Sequence, residues 1–564
     1  EGLKDCWSGE FSFARCCVTT SPQWSLITVG SPGNKARIAD FIVVGAGSAG
    51  SVAAGRLAAK GFTVALLDSG DWDTSALYAK HPNPSDPAQA SRWFTTTVSW
   101  PLGGVKRELQ VITGRVLGGS SALNGHIYTR TPLPFASTLV QSAYEAVEAE
   151  LTLQYAGADV IRTDGQERVQ ATFSTGASST PEAARPHLQL GERLLLAAFS
   201  AAGVPHIHHG LSRLLRGIGP LLRIVGCGGR WGASSAYHCS AKPFTAVGSG
   251  ERMQVLPGHH ADQLLMDGSR AVGVRVLVKD SDTQAGAEVR SVLARKEVLL
   301  AAGALSTPLL LARSGIAPEA DLRRIGVPAF VHNEHVGFNL QDHPYLAFRV
   351  STGLPCNTSL ARPQDLFAFY SSLRFHDTEN VQDLEMPPEV ELQLSPSCVP
   401  QTGLSSHRSQ GTLRYKAYLI LLLSKTPARV FPRSSHALDP PQVFFDPFEG
   451  AGQDAMTLLR HVQDLYRLLR RMQSEVSFEP SESVVLDEHA APRWCAETMG
   501  LWQHPGGTAQ VGHVLNDRFQ VVGTEGLRVA DASSIASPQG HPDAAIRAVG
   551  HIVANWAAAE AAQA

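Results

Sequence analysis

The chain has 564 residues, with 48 Lys+Arg against 51 Asp+Glu, a formal net charge of −3 and 43% hydrophobic content. A near-neutral balance argues against nucleic acid as a partner, because phosphate binding needs an excess of Lys and Arg on one face, and this apolar content argues against disorder. No apolar run approaches the roughly 18 residues of a membrane span, and the length is enough for two large domains.

Residues 1–36 carry Gly, Pro and Ser without clean periodicity and read as an irregular arm. They show no apolar core flanked by basic residues of the signal-peptide kind, and the compartment stays open. Ile38 to Val44 is a short apolar run ending at glycine, the pattern of a buried parallel strand. Ser51 to Lys60 is Ala/Leu-rich at helical spacing, with Gly61 as its stop, and Thr63 to Leu67 is a second buried strand. Strand, helix and strand in immediate succession open a doubly wound sheet, so the fold class is α/β. Farther along, Glu389 to Leu394 alternates as a half-buried strand does. Met456 to Met472 reads as an amphipathic helix, and Ala544 to Ala564 as a C-terminal helix with a frayed end. The 8 cysteines are scattered, with no C-x-x-C and no zinc-like spacing, so a structural role is expected for each and no metal site is expected.

Between the first strand and the helix lies Gly45-Ala46-Gly47-Ser48-Ala49-Gly50, a G-x-G-x-x-G. Gly45 allows the tight turn, Gly47 lets a pyrophosphate approach the backbone, and Gly50 lets helix and strand pack closely. The free N–H groups at the helix start face the anion. Asp68 closes the second strand, where its carboxylate can accept hydrogen bonds from an adenosine ribose. This fingerprint alone does not separate a nicotinamide dinucleotide from a flavin one.

Three further motifs bear on that choice. They are Gly114-Arg115-Val116-Leu117-Gly118-Gly119-Ser120-Ser121-Ala122-Leu123-Asn124, Gly303 through Ile316, and Val336-Gly337-Phe338-Asn339-Leu340-Gln341-Asp342-His343-Pro344. In this order the chain resembles the glucose–methanol–choline (GMC) flavoprotein oxidoreductases. The resemblance implies an α+β protein overall, with a Rossmann-type FAD-binding domain from 37–130, 206–345 and 495–564. A discontinuous substrate domain, an antiparallel sheet with flanking helices, would come from 131–205 and 346–494. It also implies FAD contacts from Gly45, Gly47, Ser48, Ala49 and Gly50, and from Asp68 and Ser69. Val116, Ser120, Asn124, Gly125, His126 and Ile127 would line the flavin, with Val255 at the adenine end. Gln503, Asp531, Ala532 and Pro542 would complete the site. Leu123 stands where some relatives carry a flavin-linked histidine, so FAD is expected to be non-covalent.

Trp502-Gln503-His504-Pro505-Gly506-Gly507-Thr508 matches the family's H-x-x-G-T run, and Gly540-His541-Pro542 follows where relatives carry histidine or asparagine. A neutral imidazole takes the hydroxyl proton as a carbonyl forms, and a second hydrogen-bonding group holds the hydroxyl. The expected function is oxidation of an alcohol to the carbonyl, with His504 as base, His541 as second group, and oxygen or another acceptor. The phrases His126-Ile127-Tyr128-Thr129-Arg130 and Ser142-Ala143-Tyr144-Glu145 are similar to the plant-type, mandelonitrile-lyase-like branch. The alternative is therefore a hydroxynitrile lyase acting on a cyanohydrin with non-redox FAD. Trp502, where the lyases carry tyrosine, favours oxidation. Ala317 and Gln503 depart from the family pattern, which leaves a non-catalytic flavoprotein as the bland reading.

Overall fold

The computed structural model describes residues 35–70, 93–102, 105–122, 127–155, 252–278, 288–357, 366–370, 388–400, 410–426, 428–472, 476–536 and 540–563, with short pieces at 26–28, 124, 161–162, 217–220 and 222–225. The elements that build the site are β1 (Leu26–Thr28), β2 (Lys35–Val44), α1 (Ser48–Ala59), β3 (Val64–Leu67), β4 (Met253–Leu256), β5 (Glu288–Leu300), β6 (Pro344–Asn357), β7 (Val390–Pro400), β8 (Gln410–Leu421), α2 (Glu449–Met472), β9 (Leu527–Val529) and α3 (Asp543–Gln563).

β2 lies at the heart of the first sheet, parallel to β3 on one side and to β5 on the other. β4 extends the parallel set beyond β3, and β9 pairs with β5. Ile38, Phe41, Ile42 and Val43 are fully buried, as a strand covered on both faces requires. The expected irregular arm is corrected in part. β1 pairs antiparallel with Lys35 to Arg37. It uses the edge of β2 that β3, which pairs only from Phe41 onward, leaves open.

α1 begins at Ser48, three residues before the sequence expectation, with Gly47 as its N-cap. Gly50 therefore sits inside the helix, and the reason is steric. A Cβ there would stand 1.9 Å from the Gly45 carbonyl oxygen, so this crossing of turn and helix admits only glycine. α3 packs against α1 at a similar contact, where a Cβ on Gly550 would meet the Ala49 carbonyl oxygen at 2.4 Å. The Ser48 hydroxyl donates to Asp543, which brings the two helix starts together.

A second, antiparallel sheet runs Ser477–Glu479, β6, β8, β7, Leu366–Tyr370 and Gly217–Pro220, with Gly500–Leu501 also on β6. α2 covers one face, burying Leu458, Leu459, Val462, Leu465 and Leu469 against Leu392, Leu394, Leu419 and Leu421. α2 starts earlier than its periodicity shows because its first turns are Gly- and Ala-rich. The buried Asp454 anchors it by accepting from the Lys425 and Thr426 N–H groups at 3.0 and 2.9 Å. β7 also departs from expectation. Val390, Glu391, Leu392, Gln393 and Leu394 are all buried, because α2 backs one face and the histidine loops cover the other. Among the described residues, no helix is long and apolar enough to cross a membrane.

Candidate active site

The glycine turn is built as the sequence reading requires. Gly45 has φ +105°, and a Cβ on it would meet the Ala301 carbonyl oxygen at 2.2 Å. Gly47 differs: a Cβ there would meet nothing within 4 Å, so the turn opens onto free space at the start of α1. The segment that carries the first flavin motif lies across this opening. The Gly118 N–H donates to the Ala46 carbonyl at 2.9 Å. Gly119, at φ +55°, places its would-be Cβ 3.1 Å from the Gly47 Cα. A floor of glycine with unpaired helix N–H groups above it suits a dinucleotide pyrophosphate. The residues present therefore fit FAD. Ser48, Ala49 and Gly50 would hold the diphosphate, while Val116, which is buried, and Ser120, Asn124 and Ile127 stand on the neighbouring loop.

The remaining expected contacts divide. Asp68 is buried and clamps the turn, with Oδ2 accepting from the Ala46 N–H at 2.8 Å and Oδ1 from the Gly70 N–H at 2.7 Å. Ser69 abuts the motif loop through Arg115, whose Nε donates to its carbonyl at 3.4 Å. Val255 sits on β4 beside Leu66. Asp531 spends its carboxylate on protein donors: Gly303 N–H at 2.9 Å, the Thr307 hydroxyl at 2.6 Å and Ser533 N–H at 2.8 Å. Burial pushes its pKa up against those hydrogen bonds. The Ala532 carbonyl accepts from Gly507 N–H at 3.0 Å, and the Pro542 carbonyl receives the Ile546 N–H in the first turn of α3. Leu123, Gly125 and His126 lie outside the described residues.

His504 and His541 come together although 37 positions apart in the chain. Their ring centroids are 5.3 Å apart at 75°. His504 sits on a loop tied to β6. Gln341 and Gly506 exchange backbone hydrogen bonds at 3.0 and 2.9 Å, and Trp502 N–H donates to the His343 carbonyl at 2.8 Å. Gln503 occupies the left-handed region at φ +66°, a conformation uncommon for a non-glycine residue. The His504 N–H donates to Asp342 Oδ1 at 2.8 Å, and the His343 N–H reaches the same oxygen at 2.7 Å. Asp342 is buried, and its pKa is pushed up to about 7 by that burial, against the backbone N–H groups of His504, His343 and Gln503. The His504 imidazole is held well below the ordinary histidine range, first by burial and then by His541 and His343. Its Nδ1 is buried, with no partner among the described residues.

His541 brings a partner that sequence reasoning missed. Its Nε2 lies 2.9 Å from Oε1 of Glu391 on β7, and both residues are buried. The signal in the sequence was an acidic residue inside an otherwise burial-compatible strand. Asp342 and His343 were legible only as part of a motif, not as the group that holds the His504 loop. Trp502, two residues before His504, packs with Tyr345 and Tyr418, their ring centroids 5.2 to 5.8 Å apart, and with Ile127, Ile420 and Leu422.

Two family models described as GMC oxidoreductase match residues 240–345 and 428–550. Over these two stretches the chain is similar to the GMC oxidoreductases. Members are FAD-binding flavoproteins, and the chain is an oxidoreductase acting on CH–OH donors. It is 26% identical over 540 residues to an oxygen-dependent choline dehydrogenase of Brucella anthropi, covering 88% of this chain and 91% of that one. Among solved structures, formate oxidase is similar with TM-score 0.68 and 21% identity, over 94% of this chain and 99% of that one. An FAD-dependent oxidoreductase from Chaetomium thermophilum is similar with TM-score 0.69 and 19% identity, over 93% and 99%. At these identities the two structures establish a shared fold for this chain.

Proposed function

We propose that this GMC oxidoreductase oxidises an alcohol to its carbonyl, with His504 as the general base and His541 as the second group on the substrate hydroxyl. The observation that carries the reading is the meeting of the two imidazoles at 5.3 Å, on loops from separate parts of the chain, with His541 two residues before Asp543, which accepts from Ser48 at the start of α1. His504 is neutral at ordinary pH because charging it is opposed by burial and by two neighbouring histidines, so it is free to accept a proton. His541, oriented by Glu391, holds the hydroxyl in line. Non-covalently held FAD, when bound, supplies the two-electron acceptor.

The relatives named above are a dehydrogenase, an oxidase and an oxidoreductase, and Trp502 stands two residues before His504. Oxidation is therefore preferred to cyanohydrin cleavage and to assignment within the lyase-like branch. Anaerobic addition of alcohols to the yellow protein tests the reading. Bleaching of the oxidised-flavin band is the expected result. Splitting of mandelonitrile without any bleaching by alcohols overturns it in favour of the lyase. A His504→Ala protein that keeps FAD is expected to lose about 10²–10⁴-fold in turnover.

A further inference from the structure

β7 carries two buried acceptors that no described residue satisfies. Successive strand side chains point to opposite faces. Leu392 and Leu394 lie in the core under α2, so Glu391 and Gln393 face the histidines, as the Glu391 contact with His541 establishes. Glu391 is 1% exposed and Gln393 8%. Oε1 of Glu391 is used by His541, but among the described residues its Oε2 has no hydrogen-bond partner, and neither has Oε1 of Gln393. In the register of the sheet Glu391 stands opposite Ile420 and Gln393 opposite Tyr418. Tyr418 in turn packs on Trp502, two residues from His504. The two oxygens thus form a row leading away from His541 along an aromatic and aliphatic wall, about 7 Å of strand between the two Cα atoms.

An unpartnered acceptor in such a wall is costly when empty and is relieved by a donor. Each oxygen only accepts, and one belongs to a carboxylate, so the complementary group is an N–H or O–H donor. An apolar tail would leave both unmet. We propose that Glu391 and Gln393 form a specificity subsite for an alcohol that carries a second hydrogen-bond donor, hydroxyl or ammonium, a few bonds from the carbinol. This rests on the reading that the His504–His541 pair receives the reacting hydroxyl, and it deepens that reading by naming the substrate class.

The test uses FAD-loaded full-length protein and three matched series of two to five carbons: α,ω-diols, α,ω-amino alcohols and simple 1-alkanols. Affinity is read from the alcohol-induced change in the flavin spectrum, separately from the rate of flavin bleaching. At least one donor-bearing series is expected to bind about tenfold or more tighter than the length-matched alkanols. Whether the diols or the amino alcohols lead identifies the donor. In Gln393→Leu the ratio is expected to fall several-fold. The melting temperature of that variant without alcohol is expected not to fall, because an apolar group of similar size replaces an unmet acceptor. Equal affinity across all three series, an unchanged ratio in Gln393→Leu, or a marked loss of its thermal stability overturns the subsite. Tight donor-dependent binding with no bleaching would sustain the subsite and sink the oxidation reading instead.

Discussion

Asp342 holds His504 by the backbone and not by the ring. The His504 N–H reaches Asp342 Oδ1 at 2.8 Å, while the imidazole turns toward His541. The carboxyl is thus a positioning residue for the loop that carries the proposed base.

A buried carboxyl with a pKa near 7, against 3.8 when exposed, makes stability depend on pH. Between those values the folded chain binds more protons than the unfolded one, so stability falls as pH rises. The slope from this group approaches about 1.4 kcal/mol per pH unit. Urea unfolding between pH 4 and 7 should show this fall, and Asp342→Asn should remove it. A slope unchanged in the variant would assign the effect elsewhere.

The depressed pKa of His504 sets the acid side of the rate profile. Protonation would abolish its role as base, and that protonation is displaced well below the usual 6.5. In Asp342→Asn, which lacks the carboxyl titrating near 7, kcat/KM is therefore expected to stay level from pH 8 down to 6.5 and to fall only below it. A fall centred at 6.5 or above would show that His504 is not the group being titrated.

Glu391→Gln tests the orientation of His541. The neutral amide keeps size and an acceptor but removes the charge from the 2.9 Å contact. A hydrogen bond to a charged group contributes about 1.5–3 kcal/mol, so kcat should fall roughly ten- to a hundredfold. FAD content should not change, since Glu391 lies on β7, away from the glycine turn. Loss of flavin together with activity would mark Glu391 as merely structural.

The three glycines of the turn should respond differently. Gly45→Ala and Gly50→Ala drive a methyl into backbone oxygens at 2.2 and 1.9 Å, so both should fail to fold or melt far lower. Gly47→Ala meets nothing within 4 Å in the protein. It should leave the melting temperature of the FAD-free protein nearly unchanged while weakening FAD binding, because the methyl occupies the space open to the diphosphate. Normal FAD affinity in Gly47→Ala would remove the diphosphate from this opening.

Arg528, whose side chain is fully buried, bridges Glu297 at 2.6 Å and Glu560 of α3. Arg528→Met would take the arginine partner from Glu297, whose side chain is only 13% exposed, at a cost below the roughly 3–5 kcal/mol of a fully buried pair. Thermal unfolding should show a drop of several degrees, and a variant as stable as the parent would mean that the bridge contributes nothing net.

Much of the first sheet was legible because its signals are local. An apolar run ending at Gly45, a glycine-spaced turn and an alanine-rich helix depend on residues within a few positions of each other, and β2, α1 and β3 follow. His504 and His541 could be picked from 21 histidines only by motif. The dual burial of β7 and the start of α2 at Glu449 escaped periodicity, because what covers a strand or anchors a helix comes from elsewhere in the chain. Glu391 and His541 are 150 residues apart, and Asp342 and His504 are 162. By itself the amino-acid order determined which residue types could do proton chemistry and where a dinucleotide turn must form. Only tertiary structure decided which carboxylate faces which imidazole, because that choice depends on how the two sheets and their loops pack.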